Sequence, residues 1–226
     1  MSYTGVDNLE VMAEAVSYNS YLLGLIRAAA PAHGTILDFG AGSGTFALPV
    51  AALGRRVICI EPDDHLRQVL ASKGMRTHAS LAELVAAQYD YAYSLNVLEH
   101  IEDDGQALRE LHRVLKPGAP LLLYVPAFAC LYTSMDAKVG HRRRYRRATL
   151  MRLSTQAGFA VQRAEYVDCL GFFATLLFKL VGNSRGDINR SAIKWYDRIV
   201  FPVSCGLDHL FGRIFGKNLL VIAVRQ

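Results

Sequence analysis

Short apolar segments alternate with amphipathic ones from residue 35 to residue 126, and this alternation constrains the fold more than any other feature of the sequence. The apolar runs are typical of buried strands, and the segments between them repeat apolar residues at helical spacing. Strands are predicted at 35–40, 56–61, 75–79, 89–96 and 120–126, and helices at 45–54, 64–74, 81–87 and 102–118. The pattern predicts a parallel sheet with helices on both faces.

Two more strands, at 159–168 and 218–224, complete the predicted fold. It is an α/β, Rossmann-like, doubly wound sheet of seven mostly parallel strands, with a helical insert before the last strand. The 226 residues fit one domain. We expect an N-terminal helical segment over 1–33, a core formed by 34–169 and 218–226, and an apolar insert or lid over 170–217.

A cluster of arginines dominates the charge of the chain. The sequence has 25 basic and 20 acidic residues, a net charge of +5, and five arginines stand within "VGHRRRYRR" at 139–147. The five arginines of this cluster therefore account for the whole excess of basic over acidic residues. A charge this local disfavours a general nucleic-acid-binding surface. A solvated face and a contact with an anionic ligand both remain open for each arginine.

The four cysteines, Cys59, Cys130, Cys169 and Cys205, are widely spaced and form no C-x-x-C pair. This pattern predicts neither a zinc site nor a disulfide framework, and we expect no metal. The first residues lack the basic-then-apolar pattern of a signal peptide. A cytoplasmic location is the resulting expectation.

A glycine-rich turn, "DFGAGSG", follows the first predicted strand. Its glycines allow a tight turn and a close approach of a ligand to the backbone. Asp38 precedes the turn, and Glu61 ends the second strand, where a carboxylate can accept both hydroxyls of a ribose. The G-x-G-x-G spacing departs from the dinucleotide pattern G-x-G-x-x-G, because Thr45 stands at the last position. An acid at Asp38 suits a cationic ligand without phosphate, such as S-adenosylmethionine.

These motifs resemble those of the class I S-adenosylmethionine-dependent methyltransferases. "ILDFGAGSGTFALPVA" and "VICIEPD" are similar to the first two family motifs, and residues 89–126 resemble the region of the fourth and fifth strands. "SYNSYL", "GHRRRY", "YDRIVFP" and "FGKNLLVIAV" resemble a bacterial subgroup. That subgroup is associated with glycan or specialised-metabolite pathways.

The resemblance implies a role for each matching position around S-adenosylmethionine. Asp38 would lie near the amino group, Glu61 would hold the ribose, and Tyr18 would close over the cofactor. The backbone cradle for the methionine part would be formed by Gly40, Ala41, Gly42, Ser43 and Gly44. Pro62, Ser80 and Leu81 would flank the adenine, and Asn96 and Val97 would face the sulfonium.

The acceptor side is predicted from the segments after the fourth and fifth strands. His100 and His141 are candidate general bases, because imidazole titrates near neutral pH. Tyr145 is a further catalytic candidate. Arg143 and Arg144 are expected to contact an anionic group on the acceptor.

The acceptor itself is expected to be a small molecule or a glycan or lipid-linked intermediate. The apolar insert leaves a peripheral contact with a membrane open. Monomer and homodimer are both open. Two other functions are retained: a nicotinamide-dependent oxidoreductase, disfavoured by the glycine spacing, and a non-catalytic cofactor-binding protein with the same fold.

Overall fold

The computed structural model describes residues 14–181 and 190–226, and these form one seven-stranded sheet. The strands are β1 (Thr35–Phe39), β2 (Arg56–Ile60), β3 (Arg76–His78), β4 (Tyr91–Leu95), β5 (Pro120–Pro126), β6 (Phe159–Val167) and β7 (Asn218–Arg225). Their order across the sheet is β3-β2-β1-β4-β5-β7-β6. β7 runs antiparallel to both of its neighbours, and β1 to β5 are parallel. The predicted fold class is confirmed.

Nine helices accompany these strands in the described part of the chain. They are α1 (Val16–Ala29), α2 (Ala47–Ala51), α3 (Asp64–Ser72), α4 (Asp104–Val114), α5 (Ser134–Val139), α6 (Arg147–Gln156), α7 (Cys169–Val181), α8 (Arg190–Trp195) and α9 (Phe201–Phe211). A π turn over Tyr196–Val200 links the last two. Within the insert, residues 182–189 lie outside the described residues, as do residues 1–13 of the N-terminal segment.

The helix predicted at 81–87 is wrong. Only one 3-10 turn forms there, over Leu81–Glu83. Arg113, on α4, donates to the backbone carbonyls of Leu81 and Leu84 at 2.7 and 2.9 Å. The Leu81 carbonyl also accepts from the Leu84 N–H, and the Leu84 carbonyl, which a continuing helix would use for its own hydrogen bond, is bound by the side chain of a distant helix.

The sheet separates two apolar layers. On one face, Leu22 and Ile26 of α1, together with residues of α2 and α3, pack against inward-facing side chains of the central strands. On the other face, α4 and α6 cover Leu37, Leu121 and Leu123. This three-layer arrangement leaves the carboxyl ends of β1, β2, β4 and β5 at one edge, where open α/β sheets bind their ligands.

Candidate active site

The glycine-rich turn lies at the carboxyl end of β1. Gly40 has a φ of +87°, and a Cβ atom placed on it would lie 2.2 Å from a methyl carbon of Val97. Gly42 has a φ of +55°, but a Cβ atom there would meet nothing within 4 Å. Val97 therefore packs on the turn at Gly40, whereas the backbone at Gly42 faces open space that a ligand can fill.

Glu61 is held against this turn by two backbone amides. Its Oε2 accepts a hydrogen bond from the Gly42 N–H at 2.8 Å, and its Oε1 accepts one from the Asp63 N–H at 3.0 Å. The side chain is buried. A carboxylate has about four lone-pair sites, so each oxygen retains one for a hydroxyl donor. This geometry fits a carboxylate oriented toward a ribose diol.

Asp38 is a buried carboxylate beneath the glycine turn. Its Oδ2 accepts a hydrogen bond from the Tyr93 hydroxyl at 2.8 Å. Burial raises the pKa of Asp38 to about 7 and Glu61 adds to the rise, although the Tyr93 hydrogen bond opposes it. A cationic ligand would favour the ionised form. The raised pKa therefore fits a carboxylate that is completed by a positive charge.

The residues predicted to flank the adenine lie beside Glu61. The Glu61 N–H donates to the His78 carbonyl at 3.0 Å, which joins the ends of β2 and β3. Pro62 and Ser80 are exposed at this edge, whereas Leu81 is buried. The structure thus brings Pro62 and Ser80 to the edge that holds Glu61.

Tyr18 and Asn96 meet at the end of β4. Asn96 adopts a left-handed backbone with a φ of 54°. Its side-chain amide donates to the Tyr18 hydroxyl at 3.4 Å. Tyr18 is fixed on α1 and packs edge-on against Phe201 at 5.4 Å between ring centroids. Burial raises the Tyr18 pKa to about 12, so its hydroxyl stays protonated near neutral pH.

His100 and His141 meet although 41 positions separate them. Their ring centroids are 4.7 Å apart, in an edge-on arrangement. Burial and the neighbouring His141 lower the pKa of His100 to about 4. Glu99, beside them, is completely buried, and burial raises its pKa to about 8, although its own backbone N–H and the Arg144 guanidinium lower it. The predicted pair of histidines is therefore brought together, with a carboxyl group that the sequence analysis overlooked.

Arg144 is buried against Asp136. Its side chain is 2% exposed, and its Nε and Nη2 donate to the two carboxylate oxygens of Asp136 at 2.8 and 2.9 Å. This placement differs from the expected acceptor contact, because a guanidinium held on both sides by a buried carboxylate has no fork left for another anion. Arg143 is 34% exposed and donates to Asp104 at 3.0 Å. Part of Arg143 thus reaches the surface.

Tyr145 also lies in the interior. Its hydroxyl donates to Asp104 Oδ2 at 2.8 Å and lies 3.1 Å from the Leu98 carbonyl. Burial and the hydrogen bond to Asp104 raise the pKa of Tyr145. The expected catalytic role differs from this geometry, because the phenol is already bound to a carboxylate. Tyr145 instead ties the loop after β5 to the turn after β4.

Four residues that the sequence analysis missed hold this site together: Tyr93, Glu99, Asp136 and Asp197. Glu99 is the neighbour of the predicted His100 in the "LEH" triplet, and Tyr93 lies on the predicted fourth strand, so the triplet and the strand alternation could have indicated them. Asp136 ends a T-x-x-D capping pattern that starts at Thr133, which is a readable signal. Asp197 caps α1 from 180 positions away; it stands in the quoted "YDRIVFP" segment, but nothing in that segment indicates its partner.

The sequence comparisons agree with the geometry. A family model described as a methyltransferase domain matches residues 12–164, more than half of the chain. A protein of Mycolicibacterium smegmatis named "Probable S-adenosylmethionine-dependent methyltransferase" is 33% identical over 146 residues, 61% of this chain and 54% of that one. A ubiquinone biosynthesis O-methyltransferase of Caulobacter vibrioides is 33% identical over 102 residues, 40% of each chain. The chain thus spans about half the length, or less, of these curated relatives.

Solved structures share the fold at low identity. A SAM-dependent methyltransferase from Thermotoga maritima aligns with a TM-score of 0.64 and 18% identity, over 99% of this chain and 98% of that one. Phosphoethanolamine N-methyltransferase 2 of Haemonchus contortus, in complex with S-adenosyl-L-methionine, aligns with a TM-score of 0.60 and 18% identity, over 95% and 56%. These likenesses show the fold, while the family model shows membership: the chain belongs to the class I S-adenosylmethionine-dependent methyltransferases.

Proposed function

We propose that this protein transfers the methyl group of S-adenosylmethionine to a small-molecule, glycan or lipid-linked acceptor by in-line displacement. The observation that carries the proposal is the link between Gly42 and Glu61, which sets an open backbone turn beside an oriented carboxylate. When bound, S-adenosylmethionine supplies an electrophilic methyl group on a sulfonium. The protein's part is to align it with the acceptor, which can contribute about 7–11 kcal/mol.

In this proposal, different residues bind different parts of S-adenosylmethionine. Glu61 would accept hydrogen bonds from the ribose, and the buried Asp38 would offset the positive charge. Asn96 and Tyr18 would hold the far side, because their side chains meet above the end of β4. The backbone cradle would comprise Gly40, Ala41, Gly42, Ser43 and Gly44, and Pro62, Ser80, Leu81 and Val97 would complete the site.

The acceptor side is proposed at His100 and His141. Asp136 engages Nδ1 of His141, so Nε2, which faces Glu99, is the nitrogen left for a ligand or an acceptor. Arg143 keeps a proposed role in binding an acceptor anion, because a third of its side chain is exposed. Arg144 and Tyr145 act as positioning residues in this proposal, since each is tied to a buried carboxylate.

The insert over 170–217 is proposed to cover the acceptor pocket and to contact a lipid surface. Ten of the fourteen large apolar side chains that are exposed in the described residues lie between Phe173 and Ile214. The insert also packs on the loop after β5, where Lys179 Nζ donates to the Cys130 carbonyl at 2.8 Å. A lipid-linked acceptor would place this apolar surface against a bilayer. Among the described helices, none has the length and apolar character needed to cross one.

Cofactor titration tests the proposal. We expect S-adenosylmethionine and S-adenosylhomocysteine to bind the purified protein, and NAD not to bind. Glu61→Ala should weaken binding about 10–100-fold, as expected for the loss of hydrogen bonds to a charged group. The control is Glu165→Ala on β6, a carboxylate paired with Arg163 at the opposite end of the sheet from β2. Equal cofactor affinity in both variants would overturn the site assignment. Release of S-adenosylhomocysteine in the presence of an acceptor separates catalysis from binding alone.

A further inference from the structure

Glu99, His100 and His141 form a compact group of metal-ligand side chains. Each offers one ligand atom, and the three atoms lie within 4.8 Å of one another. Glu99 and His100 belong to the turn after β4, whereas His141 comes from the loop after β5. We propose that these residues bind a divalent transition-metal ion of the zinc class, with Asp136 positioning His141. The absence of a cysteine pair led the sequence analysis to expect no metal, but this cluster uses no cysteine.

Glu99 is the strongest sign of a missing cation. Its side chain is 0% exposed, and among the described residues no other residue donates a hydrogen bond to either carboxylate oxygen, whose polar neighbours are its own backbone N–H and Nε2 of His141. Burying a polar group without a hydrogen-bond partner costs about 2–7 kcal/mol on transfer scales. A bound cation would give the buried carboxylate a partner of opposite charge and so offset the cost of its burial.

The spacing of the ligand atoms suits an ion. Glu99 Oε1 lies 3.7 Å from His141 Nε2. A tetrahedral ion with bonds of about 2.1 Å holds neighbouring ligand atoms about 3.4 Å apart. An ion between these two atoms therefore requires only a small movement of either side chain.

His141 is oriented in the way that metal-binding histidines usually are. Its Nδ1 lies 2.7 Å from Asp136 Oδ1. Donation from Nδ1 leaves a lone pair on Nε2, the atom that faces Glu99. A lone pair that faces a carboxylate oxygen needs a proton or a cation between them. Carboxylates that fix the second nitrogen of a histidine in this way are typical neighbours of bound metals.

Asp136 is itself held rigidly. It accepts hydrogen bonds from two guanidinium nitrogens of Arg144 and from the Thr133 N–H at 2.8 Å. In this proposal the buried Arg144 has a positioning role and does not contact the acceptor. The arginine fixes the aspartate, and the aspartate fixes the imidazole of His141.

The chemistry of the set selects the ion. Two imidazoles and one carboxylate are a ligand set of catalytic zinc sites that keep a further position open. Imidazole nitrogen also suits iron, cobalt and nickel, whereas Mg²⁺ and Ca²⁺ prefer oxygen ligands. We therefore expect Zn²⁺ and Co²⁺ to bind and Mg²⁺ not to compete with them.

The location indicates a role at the acceptor, a step that rests on the proposed function. Val97, which packs on Gly40, precedes Glu99 by two residues. An ion here could bind an acceptor hydroxyl and lower its pKa. The O–H proton would pass to water, and the new O–CH3 bond would form as the S–CH3 bond breaks.

Metal titration of the full chain, freed of any affinity tag and treated with chelator, tests the site without cofactor or acceptor. We expect one Zn²⁺ or Co²⁺ per chain, with visible Co²⁺ absorption bands typical of nitrogen and oxygen ligands. Glu99→Gln and His141→Gln should each weaken binding about 100-fold or more, and Asp136→Asn about 10–100-fold. His33→Ala, which removes an exposed histidine before β1, is the matched control and should leave binding unchanged.

A second measurement covers variants that fail to fold. In the wild-type chain, Zn²⁺ should protect His100 and His141 from diethyl pyrocarbonate, while His33 and His65 react equally with and without the ion. Binding that persists in Glu99→Gln and His141→Gln, or a wild-type chain that neither binds Zn²⁺ nor shows this protection, would overturn the site and would indicate a shared proton there. S-adenosylmethionine titrations in chelator report on the proposed function separately.

Discussion

Gly42 and Gly54 are a matched pair of glycines that separates backbone strain from ligand contact. Both adopt a positive φ, of +55° and +78°, and a Cβ atom on either would meet nothing within 4 Å. Gly42 donates to Glu61 in the proposed cofactor cradle, whereas Gly54 ends the turn before β2. Alanine at either position costs about 1–2 kcal/mol of stability through its left-handed backbone.

We therefore predict that Gly42→Ala and Gly54→Ala lower the melting temperature by similar amounts, but that only Gly42→Ala weakens S-adenosylmethionine binding. The expected loss is about tenfold or more, because the new methyl group occupies space that the ligand would fill. Calorimetric titration and thermal melts of both variants provide the measurement. Equal cofactor affinity in the two variants would place the ligand elsewhere.

Asp38 should make the stability of the cofactor-free protein depend on pH. Its folded pKa of about 7 lies above the ordinary aspartate value of 3.8 because of burial. Between these two values the folded state keeps a proton that the unfolded state has lost, so stability falls as pH rises through this window. Asp38→Asn mimics the protonated form and removes the penalty. We predict that the variant gains melting temperature relative to wild type on going from about pH 4 to about pH 8.

Asp64→Asn serves as the control, because that carboxylate is 83% exposed. It should show no such gain. A difference between Asp38→Asn and wild type that stays constant over the pH range would show that the buried carboxyl does not titrate there.

Single residues show where sequence reasoning works. Asp38, Gly42 and Glu61 could be predicted because their positions follow from strand ends and from the backbone freedom of glycine. Arg144 and Tyr145 could not be placed, because their partners Asp136 and Asp104 come from other segments. A run of arginines looks the same in sequence whether its members face solvent or a buried carboxylate.

At the scale of elements, α1 depends on a cap from the other end of the chain. The Ser17 and Tyr18 amides donate to the two carboxylate oxygens of Asp197 at 2.9 and 2.8 Å. A buried carboxylate at a helix N-terminus satisfies open N–H groups and the helix dipole. Because Tyr18 reaches Asn96 from this first turn, the cap also positions Tyr18, which is proposed to close over the cofactor.

We predict that Asp197→Ala destabilises the protein by about 0.5–2 kcal/mol and also weakens cofactor binding. Amide exchange over residues 16–22 should become faster. Asp103→Ala, which removes the cap of α4, is the control. It should cost similar stability without affecting the cofactor. If Asp197→Ala and Asp103→Ala both lower stability and neither changes cofactor affinity, α1 has no part in cofactor binding.

Strands such as β1, β5 and β7 were predictable because each is a short apolar run bounded by polar or glycine residues. The edge strand β3, Arg-Thr-His, has no apolar residue and was predicted from its place in the alternation of strands and helices. The pairing of β7 between β5 and β6 is different. It depends on a strand that returns after the whole insert and runs antiparallel. Periodicity within a segment reports burial, whereas the neighbour of each strand is decided by the packing of distant segments.

At the scale of the molecule, the proposed cofactor site, the metal-ligand cluster and the insert follow one another along a single edge of the sheet. Lys179 of the insert donates to the Cys130 carbonyl in the loop after β5, and His141 lies further along that same loop. The exposed apolar surface of the insert therefore lies next to the loop that carries the proposed acceptor-side residue His141. In the proposed function, an acceptor carried by a membrane would reach the site while the protein remains at the bilayer surface.

The final prediction tests that arrangement. Leu177 on α7 and Leu210 on α9 are 59% and 71% exposed, and the two helices pack together. Each buried leucine contributes about 2 kcal/mol, so the double variant Leu177→Ser/Leu210→Ser should reduce binding to vesicles of phosphatidylcholine and phosphatidylglycerol about tenfold or more. Leu53→Ser, 51% exposed beyond α2, should sediment with vesicles as the wild type does. A wild-type chain that stays in the supernatant would rule out lipid binding by this surface, and a double variant that loses a concentration-dependent dimer would assign the surface to a second copy of the chain.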